Sequence, residues 1–263
     1  MSSEILISIY VLFAVLGLCI GSFLNVVIYR LPINMSLSRP SSHCTNCGYV
    51  LRWYDNIPVL SWLILKGRCR KCNQKISPRY ILVEFFTGAI FLACALLFAK
   101  TSIFYAVISA LACSVLICIF FIDLKHLIIF DRFHIILIAL AIPAIFFDEF
   151  TFWYDHLIGF VAGGGIFLLI YFGCLWLIKR EGIGFGDVKL AFAVGLLLGW
   201  QKFILAILIA SLLACFVIIP YRLVKAQDRQ KEYPFGPFIA VGVAVALLLG
   251  NLILNWYIGL FSF

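Results

Sequence analysis

The chain has 263 residues, of which 65% are hydrophobic and only 12% are charged, and its formal net charge is +8. Soluble globular domains contain about 25% charged residues, so this composition excludes an ordinary soluble enzyme. A membrane-spanning helix needs about 20 mainly apolar residues, and the sequence contains many such runs. A membrane β-barrel would instead show short alternating segments, so we expect an all-α polytopic membrane protein.

Breaking the apolar runs at charges, glycine and proline predicts about eight transmembrane helices. The first, 5–29, lacks a basic leader and a clear cleavage site, so we expect it to be retained and not removed as a signal peptide. The other seven are expected at 82–99, 102–122, 127–147, 155–178, 188–199, 203–222 and 237–257. The predicted organisation is therefore a first transmembrane helix (1–29), a small cytoplasmic loop module (30–80) and a seven-helix transmembrane domain (81–263).

Lysine and arginine mark the cytoplasmic side of membrane helices, so their positions indicate the orientation. With the amino terminus outside, 18 of the 20 basic residues fall inside, and only Lys100 and Lys202 fall outside. Asp148, Glu149 and Asp155 are also expected outside. This division predicts a multi-pass inner-membrane protein with a cytoplasmic loop module. It also accounts for the positive charge, so we expect no nucleic-acid partner.

The loop module contains two CxxC pairs, Cys44 with Cys47 and Cys69 with Cys72, separated by 21 residues. Two such pairs suit tetrahedral zinc coordination, because each presents two sulfurs from a tight turn. Two redox pairs or free thiols are the alternative, although disulfides are rare in a reducing cytoplasm. We expect one structural Zn²⁺ on the four cysteines, without His43. The other six cysteines lie in apolar helices and are expected to pack as small hydrophobic residues.

Two acids are predicted to reach the same cytoplasmic face. Asp123 ends the third predicted helix, and Asp187 follows the glycine-rich turn 182–186. The helix 188–199 would be about 18 Å long, well short of a hydrocarbon core of ~30 Å, so Asp187 is expected below the interface. Irregular backbone at that depth implies a hydrated cavity, and an ionisable residue there is a functional candidate.

Paired carboxyl groups can divide the two roles that an aspartyl protease needs. The protonated one polarises a carbonyl, and the ionised one deprotonates the attacking water. Asp123 and Asp187 could each instead be an interfacial cap or a salt-bridge partner, with Lys125 and Lys189 as candidate cations. Asp131 is a minor alternative for the first acid, since it begins a predicted helix and could be its N-cap.

Two other functions are compatible with parts of this pattern. A proton-coupled transporter would use Asp123 and Asp187 as a relay, but it would distribute its acids across the membrane. A membrane-anchored zinc adaptor would need only the loop 30–79 and leaves the depth of Asp187 unexplained.

The motifs, taken in chain order, resemble those of the type IV prepilin peptidases, a family of GxGD-type intramembrane aspartyl proteases. Residues 21–32 (GSFLNVVIYRLP) resemble the opening signature of the family, and the two CxxC pairs follow. Residues 55–63 (DNIPVLSWL) lie between those pairs. Residues 184–189 (GFGDVK) resemble the GxGD element shared with presenilin-like proteases, and residues 234–238 (PFGPF) resemble a late cytoplasmic motif.

The resemblance implies that Asp123 and Asp187 are the catalytic acids and that the substrates are prepilins or pseudopilins. It implies cleavage after a glycine at the cytoplasmic membrane face, followed by methylation of the new amino terminus with S-adenosylmethionine. The sequence does not identify residues that bind the methyl donor, because no dinucleotide-type glycine fingerprint opens a strand–helix unit. The loop module is the expected location. Thr45 and Phe130 depart from the family, which often has proline there, and Phe130 leaves the rigidity of the helix entry at Asp131 in question.

Overall fold

The structure is a computed structural model that describes residues 2–148, 151–177, 179, 182–224 and 233–260. Within these residues it contains eight long α-helices, one short α-helix, two 3-10 helices (Leu31–Ile33 and Trp53–Asn56), and no β-structure beyond isolated bridges. The helices are α1 (Ser3–Arg30), α2 (Leu60–Ile64), α3 (Arg79–Phe98), α4 (Ile103–His126), α5 (Asp131–Phe147), α6 (Trp153–Leu177), α7 (Phe185–Leu198), α8 (Trp200–Val224) and α9 (Gly236–Gly259). The eight long helices follow the predicted order, which confirms the all-α fold class.

Six helices in the described part of the chain are long and apolar enough to cross a membrane: α1, α3, α4, α6, α8 and α9. The protein is therefore a multi-pass membrane protein. Helix α5 has 17 residues and α7 only 14. At 1.5 Å per residue α7 is about 21 Å long, which is shorter than a hydrocarbon core of ~30 Å. The helix that follows the glycine-rich turn is thus short, as the sequence predicts.

The helix ends differ from the prediction by up to four residues, and α7 begins at Phe185 and not at residue 188, which places Asp187 in its first turn. The fourth long helix was expected from residue 127, but Leu127 has a φ of +56° and α5 begins at Asp131. The loop module contains α2, a short helix that was not predicted and that follows Val59 at a φ of +60°. Several residues used to predict the orientation lie outside the described residues: Glu149, Arg180, Lys225, Arg229 and Lys231.

The chain forms two compact units, Met1–Cys118 and Ile119–Phe263, and the boundary falls within α4. The division into 1–29, 30–80 and 81–263 remains a prediction from charge and cysteine pattern.

In the first unit, α1 and α3 pack antiparallel at very short range. A Cβ at Gly21 would lie 2.7 Å from the Cα of Glu84, and a Cβ at Gly17 would lie 2.9 Å from the Cα of Gly88. Small residues at a helix interface allow such close approach of two backbones. The loop module is held between the ends of these two helices, so their packing fixes both of its attachment points.

In the second unit, α7 is the central helix and contacts α5, α6, α8 and α9. Ten of its 14 residues are buried, so its side chains face protein on nearly every side. Its closest neighbour is α6, because a Cβ at Gly159 or at Gly195 would overlap the carbonyl of the other residue. This packing holds α7 in place although it is too short to span the bilayer.

Candidate active site and metal centre

Asp123 lies near the C-terminal end of α4 and is only 5% exposed. Gly236, the first residue of α9, donates its backbone N–H to the Asp123 carboxyl group. A Cβ at position 236 would lie 2.5 Å from Asp123 Oδ2, so only glycine allows this approach. Free amides and the dipole at a helix N-terminus favour negative charge. The motif at 234–238 therefore directs the N-terminus of α9 at the first acid.

Asp187 is the third residue of α7 and is 8% exposed. Its own N–H donates to the carbonyl of Gly184, the N-cap residue, at 3.0 Å. The Gly184 N–H in turn donates to the Asp187 carboxyl group. This reciprocal arrangement resembles a capping box, in which the N3 side chain reaches back to the N-cap amide. The glycine-rich turn thus fixes the second acid at a helix N-terminus.

The structure brings the two predicted acids together within the second unit. Asp123 and Asp187 lie close enough for their charges to interact. The side chain of Ile129 is adjacent to both glycine turns, since a Cβ at Gly186 would lie 3.4 Å from its Cβ and one at Gly236 would lie 3.1 Å from its Cδ1. The end of α4 and the beginnings of α7 and α9 therefore converge on one site.

Asp131 has a different environment. The N-cap of α5 is Phe130, so Asp131 is the first helical residue and the prediction that it could be the N-cap is wrong. Its carboxylate is exposed and accepts a hydrogen bond from Lys189 Nζ at 2.7 Å. Lys189 therefore pairs with Asp131 and not with Asp187, because residues two apart on a helix do not face each other.

The four predicted cysteine ligands form one cluster. Their Sγ atoms all lie within 4.8 Å of one another. The Cys44–Cys72 and Cys47–Cys69 sulfur pairs are 3.8 Å and 3.9 Å apart. Tetrahedral coordination at a Zn–S distance of about 2.3 Å places sulfurs about 3.8 Å apart, so the cluster fits Zn²⁺. His43 is not part of the cluster.

The two CxxC turns have the same backbone geometry. In each turn the N–H of the first cysteine, Cys44 or Cys69, donates at 2.9 Å to the carbonyl five residues later. The residue four positions after that cysteine has a positive φ, +68° at Gly48 and +55° at Asn73. Glycine and asparagine tolerate this conformation best. Matching local sequence thus builds two similar turns that face each other.

The surroundings shift the pKa values of the Cys44 and Cys47 thiols in opposite directions. Backbone amides of Cys47 and Asn46 lower the pKa of the Cys44 thiol. The Tyr49 amide lowers the pKa of Cys47, but burial and the neighbouring thiols outweigh it and raise that pKa to about 11. Four thiolates at these distances would repel one another, and a bound divalent cation would offset that repulsion because a coordinating thiol is deprotonated.

Asp55 connects the two turns. Its Oδ1 accepts a hydrogen bond from Arg70 Nε at 2.8 Å, inside the second CxxC pair. Its Oδ2 accepts from the Tyr49 hydroxyl at 3.1 Å and from the Arg52 N–H at 3.2 Å. Burial alone would raise the pKa of Asp55, but these hydrogen bonds lower it below its usual range. The carboxylate is therefore a stable anionic centre of the module.

A second buried polar cluster, which was not predicted from the sequence, surrounds Asp148. Lys202 Nζ lies 3.1 Å from Asp148 Oδ2, and His156 Nε2 lies 3.9 Å from the same oxygen. Trp200 Nε1 donates to Asp155 Oδ1 at 2.8 Å nearby. The sequence indicated only that the two acids are on the outer side. Lys202 lies at the start of an apolar helix. A lysine in such a position is the sequence signal that could have predicted a buried acidic partner.

These features define a multi-pass helical membrane protein with a paired-aspartate site and a four-cysteine cluster that fits a metal ion. Two protein-family models match the chain. The model described as "Bacterial Peptidase A24 N-terminal domain" matches residues 15–98, and the model described as "Type IV leader peptidase family" matches residues 110–219. The chain belongs to the type IV leader peptidase family.

Several relatives carry the name prepilin leader peptidase/N-methyltransferase. The protein of Aeromonas hydrophila is 35% identical, with 92% of this chain and 91% of the relative covered. That of Myxococcus xanthus is 43% identical, with 75% and 58% covered. That of Legionella pneumophila is 30% identical, with 95% and 94% covered. No solved structure matches the chain.

Proposed function

We propose that this chain cleaves the leader peptides of type IV prepilins or pseudopilins and N-methylates the newly exposed amino terminus. The observation that carries the proposal is the convergence of Asp123 and Asp187, each hydrogen-bonded by a glycine amide at a helix N-terminus. Family membership and the names of the relatives support the substrate class and the second activity.

In the proposed mechanism one of the two carboxyl groups is ionised and the other is protonated. The carboxylate removes a proton from the attacking water, and the protonated group donates a hydrogen bond to the scissile carbonyl. The leaving amine then takes a proton from the pair, which returns the two carboxyl groups to their starting state. The amides of Gly184 and Gly236 hold the two carboxyl groups in orientation.

The loop module has a separate role in the proposal. Cys44, Cys47, Cys69 and Cys72 hold a structural Zn²⁺, which contributes folding free energy to the loop. S-adenosylmethionine supplies the methyl group, and the loop module is the proposed location of its binding site.

The proposed location is the inner membrane, with the amino terminus outside and both the loop module and the acid pair at the cytoplasmic side. The distribution of lysine and arginine supports this orientation. The proton-transporter alternative is not favoured, because the chain belongs to a peptidase family.

An assay with a synthetic prepilin leader peptide tests the proposal. Purified full-length protein is incubated with the peptide, with and without S-adenosylmethionine, and the products are identified by mass spectrometry. We expect cleavage after one glycine in both samples, and a product heavier by one methylene only with the methyl donor. A peptide left intact by folded protein would overturn the peptidase assignment.

A further inference from the structure

The loop module exposes a group of large apolar side chains next to the membrane helices. Trp53 is 79% exposed, and three residues of α2 are exposed by 56% (Leu60), 53% (Leu63) and 74% (Ile64). We call these four residues the apolar face. Exposed apolar groups of this size on one small module mark a surface that something covers.

A hydrogen bond fixes the depth of the apolar face. The N–H of Val59, the residue before α2, donates to Glu84 Oε2 at 2.7 Å. Glu84 is the sixth residue of α3, which places it about 7 Å along the helix from Arg79 at 1.5 Å per residue. Helix α2 therefore begins beside the second turn of a membrane-spanning helix and not above its end.

The neighbours of Glu84 show what lies at this depth. Leu82, Phe85 and Phe86 of α3 are 46%, 57% and 52% exposed. These side chains belong to an apolar helix long enough to cross the membrane, so we expect lipid to cover them. Because Val59 directly precedes Leu60, the apolar face begins near the same level, where lipid that covers α3 would also reach α2.

The backbone before α2 supports this placement. Val59 has φ +60° and ψ −51°, and the Leu60 N–H donates to the Pro58 carbonyl at 2.6 Å. This is a γ-turn in its rare positive-φ form, centred on a β-branched residue, for which the conformation is strained. Such strain persists only where the surroundings hold it. The hydrogen bond from Val59 to Glu84 stabilises the turn on one side. Burial of α2 in an apolar environment would stabilise it on the other side.

The charge of the module identifies the kind of surface. Residues 30–79 contain nine lysine and arginine residues and a single acid, Asp55. That acid already pairs with Arg70. Arg52 directly precedes Trp53, and Lys66 follows Ile64 by two residues, so exposed cations flank the apolar face on both sides. Apolar residues flanked by cations are typical of segments that lie in the interface of an anionic membrane.

We propose that the loop module docks onto the membrane in which the protein is embedded, with Trp53, Leu60, Leu63 and Ile64 inserted among the lipids. Its basic residues contact anionic headgroups of the leaflet at that end of α1 and α3. The second most suitable occupant is the apolar segment of a prepilin, and the experiment below distinguishes the two.

The test uses the full-length protein in nanodiscs made with brominated acyl chains, which quench nearby tryptophan. The chain has six tryptophans, so the Trp53 emission is the difference between the wild type and Trp53→Phe. We expect this emission to be blue-shifted and quenched, and more strongly quenched in phosphatidylcholine–phosphatidylglycerol discs than in phosphatidylcholine alone. The Leu63→Gln, Ile64→Gln double variant should lose most of the quenching at unchanged zinc content.

Matched charge variants test the contribution of the cations. Arg52→Gln with Lys66→Gln should abolish the additional quenching caused by phosphatidylglycerol, and Lys100→Gln, outside the module, should leave it unchanged. Trp53 emission that is unquenched in both lipids overturns the proposal. Emission that is insensitive to lipid but shifts when a prepilin is added assigns the apolar face to the substrate and likewise overturns it. If the double variant loses zinc, the quenching of Trp53 in the wild-type protein alone tests whether the module contacts lipid.

Discussion

Gly236 determines how closely a helix N-terminus approaches Asp123. Any side chain at this position would place a carbon atom against the carboxyl oxygen, at 2.5 Å in the present geometry. The amide of Gly236 holds that carboxyl group, so the contact and the orientation of the acid depend on the same residue.

Gly236→Ala should therefore reduce cleavage more than it reduces stability. We expect kcat/KM to fall by on the order of 10²-fold, because a shift of about 1 Å in a catalytic group has an effect of that size. The control is Gly165→Ala on α6, where a Cβ meets no atom within 4 Å. Peptide-cleavage kinetics and thermal unfolding of both variants check this, and equal cleavage by the two would contradict it.

Asp123→Asn and Asp187→Asn should each abolish cleavage about as fully as the double variant, because the two carboxyl groups act as one unit. Both changes are nearly isosteric and should leave the fold intact. Methylation of an already cleaved pilin should survive them. The wild type should show a bell-shaped pH profile that belongs to the pair.

Asp131→Asn is the comparison for this prediction. It removes an exposed ion pair with Lys189 and a 3.6 Å contact with the His134 imidazole. Exposed ion pairs contribute about 0–1 kcal/mol to stability, so substantial cleavage should remain. If Asp131→Asn is inactive while Asp123→Asn still cleaves, the first acid has been assigned wrongly.

At this scale the sequence indicated both acids and all four cysteines, because spacing and residue type carry that information. It did not place Gly236 against Asp123, since 112 positions separate them along the chain and only the tertiary fold joins them. The pairing of Lys189 with Asp131 was hidden for the same reason.

Among the elements, α6 and α7 cross at very short range. Their crossing point is formed by Gly159 and Gly195, and it leaves no room for a methyl group on either helix. At the C-terminal end of α7, Nδ1 of the buried His156 imidazole donates a hydrogen bond to the Leu196 carbonyl at 2.9 Å. This carbonyl is one of the last four of the helix, which have no partner within it.

Gly195→Ala should force α6 and α7 apart and destabilise the protein. Overpacking of this kind costs about 1–3 kcal/mol, and more where the opposing atom is backbone. Gly173→Ala on α6, where a Cβ meets no neighbour within 4 Å, is the matched control. Unfolding in detergent micelles measures the difference, and identical stability of the two variants would show that the crossing is looser than described.

Cys69→Ser should lose zinc and loosen the loop module, because a structural zinc site contributes folding free energy directly. Wild-type protein prepared without chelator should contain about one zinc per chain, as a four-ligand site implies. Cys19→Ser, on an exposed position of α1, should keep its zinc. Metal analysis of the purified proteins tests this prediction. The absence of zinc from the wild type would refute the assignment of the four cysteines as zinc ligands.

The sequence predicted the long helices well, because continuous apolar runs have few alternative structures in a membrane. It missed α2, because a five-residue segment has no periodicity to detect and follows a strained valine that no local rule predicts. The start of α5 was placed four residues too early, since Leu127 is apolar but adopts a positive φ.

For the molecule as a whole, the charge distribution predicts one orientation. Reporter fusions near Arg52 and Lys125 should report the cytoplasm, and fusions near Lys100 and Asp148 should report the outside. A single position on the opposite side would change the number of spanning helices. If Asp123 and Asp187 were found on opposite faces of the membrane, the peptidase proposal would be wrong, although the order of the helices along the chain would be unaffected.

The overall architecture was predictable to the level of a helical membrane protein with a cysteine module. The division into two compact units was not, because the boundary falls within α4, a continuous helix with no break in its sequence. The burial of Asp148 was also hidden, since a charged residue in a predicted outer loop is normally expected in water.

The position of the four cysteines along the chain has a consequence for biosynthesis. All of them precede α3, and the glycines at the α1–α3 contact, Gly17, Gly21 and Gly88, lie within the first 88 residues. The metal site and the first helix hairpin are therefore complete in the nascent chain while α4 to α9 are still to be synthesised. A zinc ion that binds these cysteines would therefore act at an early step of membrane insertion. Metal starvation should then cause a defect in assembly of the newly made protein before any loss of turnover.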